Sequence, residues 1–316
     1  MCSVLTLTLN PAIDFNVILS ERLFKGSVNR AERAFKVAGG KGINVASYLA
    51  DMELKNISVT GFLGMENANC FREHFIKKGL YDEFVYFHGA TRENIKILEN
   101  KESITTDINL ESYYVNVPSI NQLKRVIENS INKNEYYIFS GSVPKWLDES
   151  IYYEIGRYLK DFNKKIIVDT SGVPLKRALD LHPFAIKPNI DEFYDLFGGK
   201  LDFSGLLKNI DVLIEDGIEY VLLSMGEKGA IVANKDSRLK VIGKLSHGGS
   251  SVGAGDAFLA GFVYSSIKNY NLKDLAVFST ASSLALIESS ERSLPDVKTI
   301  INNYYKNITV EDIRSN

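Results

Sequence analysis

The segment Gly249-Ser-Ser-Val-Gly-Ala-Gly-Asp-Ala257, followed at once by the apolar run Phe258-Leu-Ala-Gly-Phe-Val-Tyr264, has the pattern of a glycine-rich turn that leads into a buried helix. Gly253 and Gly255 allow the backbone to turn tightly and bring bare N–H groups close to a ligand. A helix that begins near Ala254 would point its unpaired N–H groups and the positive end of its dipole at an anion. Asp256 would then lie in the first helical turn, beside that anion.

Two interpretations of Asp256 follow from this segment. A carboxylate beside an anion-binding turn suits a reaction in which a hydroxyl loses its proton while negative charge develops on phosphate oxygens. Asp256 would then be the base, and the N–H groups of Gly253, Ala254 and Gly255 would stabilise the charge. Alternatively, Asp256 only caps the helix, because acidic residues favour the first turn of any helix.

A second glycine turn lies in Ala38-Gly-Gly-Lys-Gly-Ile-Asn-Val-Ala-Ser-Tyr-Leu49. The apolar positions from Ile43 onward fit a helix with one buried face, so the turn at 39–42 opens a helix that carries Lys41 and Asn44 on its first turn. A lysine in such a turn is usually a solvated charge, but beside a helix N-terminus it can contribute to an anion or hydroxyl site. The spacing matches neither a Walker A loop nor the G-x-G-x-x-G of dinucleotide-binding proteins.

Two further motifs are Thr8-Leu-Asn-Pro-Ala-Ile-Asp14 and Lys187-Pro-Asn-Ile-Asp-Glu192. With these four motifs in this order, the chain resembles the ribokinase-like (PfkB) carbohydrate kinases over essentially its whole length. It is most similar to the bacterial 1-phosphofructokinases and tagatose-6-phosphate kinases of that family. The resemblance implies an α/β fold of three layers, α/β/α, with a mainly parallel central sheet and a small β lid, and it implies ATP and Mg²⁺ as cofactors.

Composition agrees with this resemblance. The chain has 316 residues, 45% of them hydrophobic and 24% charged, which is ordinary for a globular protein with a large core. A net charge of −2, without a long basic run, argues against a nucleic-acid partner. Cys2 and Cys70 are far apart, so neither a disulfide framework nor a zinc site is expected. No leader or apolar stretch long enough to span a membrane is recognised, so we expect no membrane partner and a cytoplasmic protein.

Apolar strand patterns alternate with helical patterns along the chain and predict a mainly parallel sheet, with sites at the carboxyl ends of its strands. The predicted strands are 4–9, 57–63, 136–140, 165–169, 184–187 and 220–224, and helices are predicted from Gly40 and from about Ala68. Residues 12–38 and 84–117 break the alternation with short strand-like runs, at 28–37 and 94–98. We expect one domain, 1–316, with a β lid formed by those two regions.

The lid indicates the substrate. Period-two alternation in Thr91-Arg-Glu-Asn-Ile-Lys-Ile97 places Arg92, Asn94 and Lys96 on one face. For a single basic residue, a solvated lid face is the simpler interpretation. An arginine fork fits a phosphate bidentately, however, and the pattern is similar to that of 1-phosphofructokinases. The resemblance therefore implies a substrate that is already phosphorylated.

The resemblance also assigns further site residues. It assigns sugar contacts to Asp14, Gly40, Lys41, Asn44, Arg92, Asn94, Lys96 and Ser140. It assigns nucleotide contacts to Lys187, Asn189, Ser224, Gly226, Gly229, Ser251 and Ser283. Asn189 and Glu192 would organise Mg²⁺, in part through water. For Asp14 and Asn189 a turn or helix-cap role is the alternative.

The resemblance implies an ATP- and Mg²⁺-dependent kinase that converts fructose 1-phosphate to fructose 1,6-bisphosphate. A tagatose-6-phosphate kinase or a 6-phosphofructokinase is the near alternative. A non-catalytic sugar-phosphate-binding protein and an oxidoreductase are the alternatives from other classes, although a sensor should lose Asp256 or its glycine turn. Exposed lid strands would permit a homodimer through the lid.

Overall fold

The computed structural model describes residues 3–99 and 104–313. Within these ranges the strands are β1 Val4–Thr8, β2 Ala12–Leu19, β3 Arg33–Gly39, β4 Ile57–Gly64, β5 Tyr81–Asp82, β6 Val85–Phe87, β7 Glu93–Glu99, β8 Ile104–Ile108, β9 Tyr136–Ser140, β10 Lys165–Asp169, β11 Ala185–Ile186, β12 Tyr220–Ser224, β13 Ala230–Ala233, β14 Arg238–Gly243 and β15 Ile308–Asp312. The helices are α1 Lys41–Asp51, α2 Asn69–Lys78, α3 Val117–Ser130, α4 Ile151–Lys160, α5 Gly172–Leu179, α6 Ile190–Leu196, α7 Phe203–Glu215, α8 Ala254–Ile267, α9 Leu272–Ile287 and α10 Val297–Tyr304.

The central sheet has the order β15-β14-β13-β12-β11-β10-β9-β1-β4-β5, and β6 also pairs with β4. From β12 to β5 neighbouring strands are parallel, whereas β13, β14 and β15 add an antiparallel extension at one edge. The predicted mainly parallel α/β fold is confirmed. The antiparallel extension was not predicted.

Helices cover both faces of this sheet. One apolar core joins it to α1, α2, α8, α9 and α10, and a second core joins its other face to α3 through α7. Helix α8 is buried over most of its length, and α9 packs beside it. Parallel strands covered on both faces align their carboxyl ends at one edge of the sheet, where polar side chains can converge.

Four strands, in the order β3-β2-β7-β8, form a second sheet that shares no strand with the central one. Its strands fall inside the two regions predicted to form the lid, whereas β6, also inside the second region, belongs with β4 of the main sheet. We call this second sheet the lid.

The predicted strand at 28–37 starts too early, because β3 begins at Arg33. The amide of Asn29 bonds to both the N–H and the carbonyl of Phe24 and closes a turn, and the side chain of Val28 is 89% exposed. A side chain that bonds local backbone in this way competes with strand pairing. In the part of the chain that the structure describes, no helix is long and apolar enough to cross a bilayer.

Candidate active site

Helix α8 begins at Ala254, as predicted, and Gly253 is its N-cap residue. Gly253 has φ +85°, and a Cβ atom there would lie 2.8 Å from the Tyr48 hydroxyl, so the position requires glycine for two reasons. The first-turn N–H groups of α8 have no acceptor within the helix. Asp256 lies in this turn and is only 7% exposed.

The second glycine turn meets the first. Gly40, with φ +141°, precedes α1, and Lys41 is the first residue of that helix. The amide of Asn44, one turn along, donates a 2.8 Å hydrogen bond to Oδ2 of Asp256. Two glycine turns about 210 residues apart in sequence therefore contribute to one site.

The centre of this site contains a residue that none of the four sequence motifs includes. Asp169, the last residue of β10, has no exposed surface. Its Oδ1 lies 3.1 Å from Nζ of Lys187 and 3.4 Å from Nζ of Lys41, and the hydroxyl of Ser140 donates to its Oδ2 at 3.0 Å. A signal for it exists in the sequence: Asp169 is an acidic residue that directly follows the apolar run Ile166-Ile-Val168 at a predicted strand end.

The charges and the burial around Asp256 favour its role as a proton acceptor. Burial, followed by the negative charge of Asp169, raises the pKa of Asp256 to about 6, while the Asn44 hydrogen bond and the two lysines act in the opposite direction. The Asp169 charge is the largest cause that raises the pKa of Lys41. At neutral pH Asp256 is therefore mostly ionised yet more basic than an ordinary aspartate, and Lys41 is fully charged.

The lid contributes Asp14 on β2, and its side chain lies beside Gly39 at the end of β3, where a Cβ atom would lie 3.0 Å from Oδ2 of Asp14. Asn94 donates to Oδ1 of Asp14 at 3.4 Å, and Nζ of Lys96 lies 3.4 Å from Oδ2. Lys96 also pairs with Asp107, at 3.6 Å. Two carboxylates, those of Asp14 and Asp107, therefore accompany the positive charge of Lys96.

Arg92 precedes β7 and reaches back to the base of the lid. Its Nε, Nη2 and Nη1 donate to the carbonyls of Pro11, Asn10 and Leu110 at 3.4, 3.2 and 3.2 Å. A guanidinium has five N–H groups, so two remain after these three bonds. Arg92 therefore ties the start of β7 to the loop between β1 and β2 and to the segment after β8, and it has two further donors.

Asn189 and Glu192 form a reciprocal cap at the start of α6. The side chain of each accepts a 2.8 Å bond from the backbone N–H of the other. The cap role noted as an alternative for Asn189 is therefore real, and it leaves both side-chain oxygens with further acceptor capacity. Within residues 3–99 and 104–313 no group of three or more His, Cys, Asp or Glu side chains could hold a metal ion.

The predicted nucleotide residues lie around this edge of the sheet. The backbone of Ser224, at the end of β12, pairs with that of Asn189 in an isolated parallel β-bridge. Gly226 and Gly229 both have positive φ, and a Cβ on Gly229 would lie 2.0 Å from the Val241 carbonyl. Ser251 is exposed, and its carbonyl accepts from the N–H of Ala254.

Ser283 is half-buried on α9, and no hydrogen bond of the described residues ties it to the Asp256 cluster. Nζ of Lys187 pairs with Asp169 and lies beside Gly255, where a Cβ atom would be 3.4 Å from it.

The pfkB family carbohydrate kinase profile matches residues 7–299. A 1-phosphofructokinase of Borreliella burgdorferi is 36% identical over 313 residues, which are 98% of this chain and 99% of that protein. A 1-phosphofructokinase of Xanthomonas campestris is 35% identical, over 91% of this chain and 92% of its own length.

Two solved structures are also similar. A Thermotoga maritima protein described as a possible 1-phosphofructokinase has a TM-score of 0.86 at 29% identity, over 99% of this chain and 100% of its own. Phosphofructokinase-2 from Escherichia coli, in complex with substrates and products, has a TM-score of 0.89 at 20% identity, over 96% of this chain and 98% of its own. At this identity the likeness shows the fold alone. With its two glycine turns, its lid and these relatives, the chain belongs to the pfkB family of carbohydrate kinases.

Proposed function

We propose that this kinase transfers the γ-phosphoryl group of ATP, with Mg²⁺, to the primary hydroxyl at C6 of fructose 1-phosphate. The products are fructose 1,6-bisphosphate and ADP. The single observation that carries the proposal is the buried Asp256 on the first turn of α8, directly after the left-handed Gly253. Relatives named 1-phosphofructokinase, at up to 36% identity over nearly the whole chain, support the choice of substrate.

In the proposed reaction Asp256 accepts the proton of the C6 hydroxyl. That oxygen forms a bond to the γ-phosphorus while the bond from phosphorus to the ADP oxygen breaks, and the electron pair stays on ADP. The N–H groups of Gly255 and Asp256 in the first turn of α8 would receive the negative charge of the transferring group, whereas the N–H of Ala254 already donates to the Ser251 carbonyl. Because Asp256 has a pKa of about 6, it accepts a proton more readily than an ordinary aspartate at neutral pH.

Lys41 and Lys187 supply positive charge on two sides of the same turn. Both side chains pair with Asp169, which fixes their ammonium groups before substrates bind. An ammonium already held in place needs no reorganisation when phosphate charge develops nearby. We propose that Lys187 faces the phosphates of ATP and Lys41 faces the transferring group.

For Mg²⁺ the donor set fits an ion that keeps much of its water. The described residues offer no cage of three carboxylates, whereas Glu192 and Asn189 have acceptor capacity left at the start of α6. Mg²⁺ would neutralise charge on the ATP phosphates. Asn189 and Glu192 would orient its water ligands.

At the other end of the sugar, the ring hydroxyls would bond to Asp14 and Asn94. The two remaining N–H groups of Arg92 would hold the C1 phosphate. Asp256 can then reach only the hydroxyl at the far end of the ketohexose, and a displacement of about 1 Å in the reacting atom can cost roughly 10²-fold in rate.

We further propose that the lid pairs with the lid of a second copy of the chain. Ile104 and Ile108 on the outer strand β8 are 47% and 45% exposed, and β8 is an edge strand with unpaired backbone groups. Exposed apolar side chains on the outer strand of a sheet are stabilised by a partner that covers them.

Steady-state measurement of ADP release at saturating MgATP tests the substrate. We expect fructose 1-phosphate to exceed fructose 6-phosphate and tagatose 6-phosphate in kcat/KM by about tenfold, and free fructose to be a poor acceptor. A preference for tagatose 6-phosphate would overturn the substrate and leave the kinase mechanism standing. ATP-independent binding of sugar phosphates without ADP release would favour a binding protein.

A further inference from the structure

Asp169 is a buried carboxylate for which the proposed reaction has no direct use. It is fully buried at the carboxyl end of β10, in the middle of the central sheet. A buried carboxylate is costly unless cations and hydrogen bonds compensate it. Here two ammonium groups and one hydroxyl do so, which makes Asp169 the common partner of Lys41, Lys187 and Ser140.

Both lysines are close to Asp256. Lys187 lies beside Gly255, the residue immediately before Asp256. Lys41 lies one turn before Asn44, whose amide donates to Asp256. Without Asp169, Lys41 could pair with Glu192 or Asp256, whose negative charges both act on it, and Lys187 could pair with Asp256. A base that is engaged in an ion pair accepts a proton poorly.

We propose that Asp169 is a positioning residue for phosphoryl transfer: it holds the ammonium groups of Lys41 and Lys187 against β10, so that the Asp256 carboxylate stays out of an ion pair and can accept the proton of the sugar. The inference rests on the proposed function. It adds a residue that acts through other residues and touches no substrate.

The charges around Asp256 agree with this arrangement. Helix α1 presents Lys41, the Asn44 amide and the Tyr48 phenol, β10 presents Asp169, and the segment after β11 presents Lys187. Helix α9 contributes the apolar Leu286 beside Gly253. After burial, the charge of Asp169 is the largest cause that raises the pKa of Asp256, and the lysines lower that pKa.

The test is the pH dependence of kcat/KM for the sugar phosphate, measured on the full-length enzyme. In the wild type the acid limb should have its midpoint near pH 6, where Asp256 loses its proton. Asp169→Asn removes a negative charge, so we expect the midpoint to move down by roughly half a pH unit or more and kcat to fall by about tenfold or more. Lys187→Met removes a positive charge and should move the midpoint up.

Asp51→Asn is the matched control. Asp51 is also a largely buried aspartate that pairs with a lysine, Lys78, but it lies at the far end of α1 from Asn44. The same chemical change there should leave the midpoint where it is. Circular dichroism and Tm at each assay pH establish that the variants are folded.

A folded Asp169→Asn enzyme whose acid limb stays at the wild-type pH would overturn the inference and leave Asp169 as a structural residue. If Asp169→Asn does not fold, an unmoved limb in Lys187→Met would overturn it equally. A wild-type protein that phosphorylates none of the sugar phosphates would instead refute the proposed function, so the two failures are distinguishable.

Discussion

At the residue scale, Arg92 donates to three backbone carbonyls at the base of the lid and has two further N–H groups, which the proposed function assigns to the sugar phosphate. We predict that Arg92→Ala raises KM for the sugar phosphate about 10- to 100-fold, which corresponds to charge-assisted bonds of about 1.5–3 kcal/mol, and leaves KM for ATP nearly unchanged. Arg72→Ala, which removes a guanidinium that contacts the ring and the hydroxyl of Tyr86, is the control. An unchanged sugar KM in Arg92→Ala would contradict the phosphate role.

Asp256 and Asp169 show what the sequence could reveal of the site. Asp256 is predictable because two glycines and a long apolar run mark its local environment. Asp169 has only an apolar strand before it, and its importance comes from Lys41 and Lys187, which are distant in sequence and meet it only in the folded chain. A sequence motif predicts the local backbone geometry around Asp256, whereas the ion pairs of Asp169 depend on how the fold brings distant segments together.

At the element scale, the start of α8 depends on the left-handed conformation of Gly253. Gly253→Ala places a methyl group 2.8 Å from the Tyr48 hydroxyl as well as straining φ, so we predict a loss of stability of about 1–3 kcal/mol and a fall in kcat. Thermal unfolding and steady-state kinetics measure both.

Gly198→Ala is a matched control for this substitution, because Gly198 has φ +82° and nothing within 4 Å of a Cβ. Gly198→Ala should lose stability only because alanine is strained at this positive φ, and its kcat should stay that of the wild type. Tyr48→Phe combined with Gly253→Ala should recover part of the loss. If Gly253→Ala behaved like Gly198→Ala in both measurements, the contact with Tyr48 would have no role in shaping the turn.

The elements of the parallel sheet were predictable, and those at its edge were not. Strands β9, β10 and β12 match their predicted bounds, because apolar runs between helices mark buried parallel strands. Within the extension, β15 pairs with β14 across 65 to 73 residues of sequence, and β15 is partly exposed. The pairing of β15 depends on tertiary contacts that periodicity does not encode.

At the scale of the whole molecule, we predict a dimer in solution that depends on the lid. Light scattering after size-exclusion chromatography should give twice the mass of one chain for the wild type and a monomer for Ile108→Lys. Val212→Lys, at a 48% exposed position on α7, controls for the added charge. A monomeric wild type, or a dimer that survives Ile108→Lys, would contradict the lid interface.

The fold brings the N-termini of α1 and α8 and the end of β10 together around one carboxylate, so Asp256 is the residue on which the proposed chemistry depends. The most direct test is kcat for Asp256→Asn with fructose 1-phosphate and MgATP, since the amide keeps the shape of the side chain and removes its basicity. We predict a fall of roughly 10²-fold or more with the affinity for ATP nearly unchanged. A kcat close to that of the wild type would contradict the assignment of Asp256 as the base.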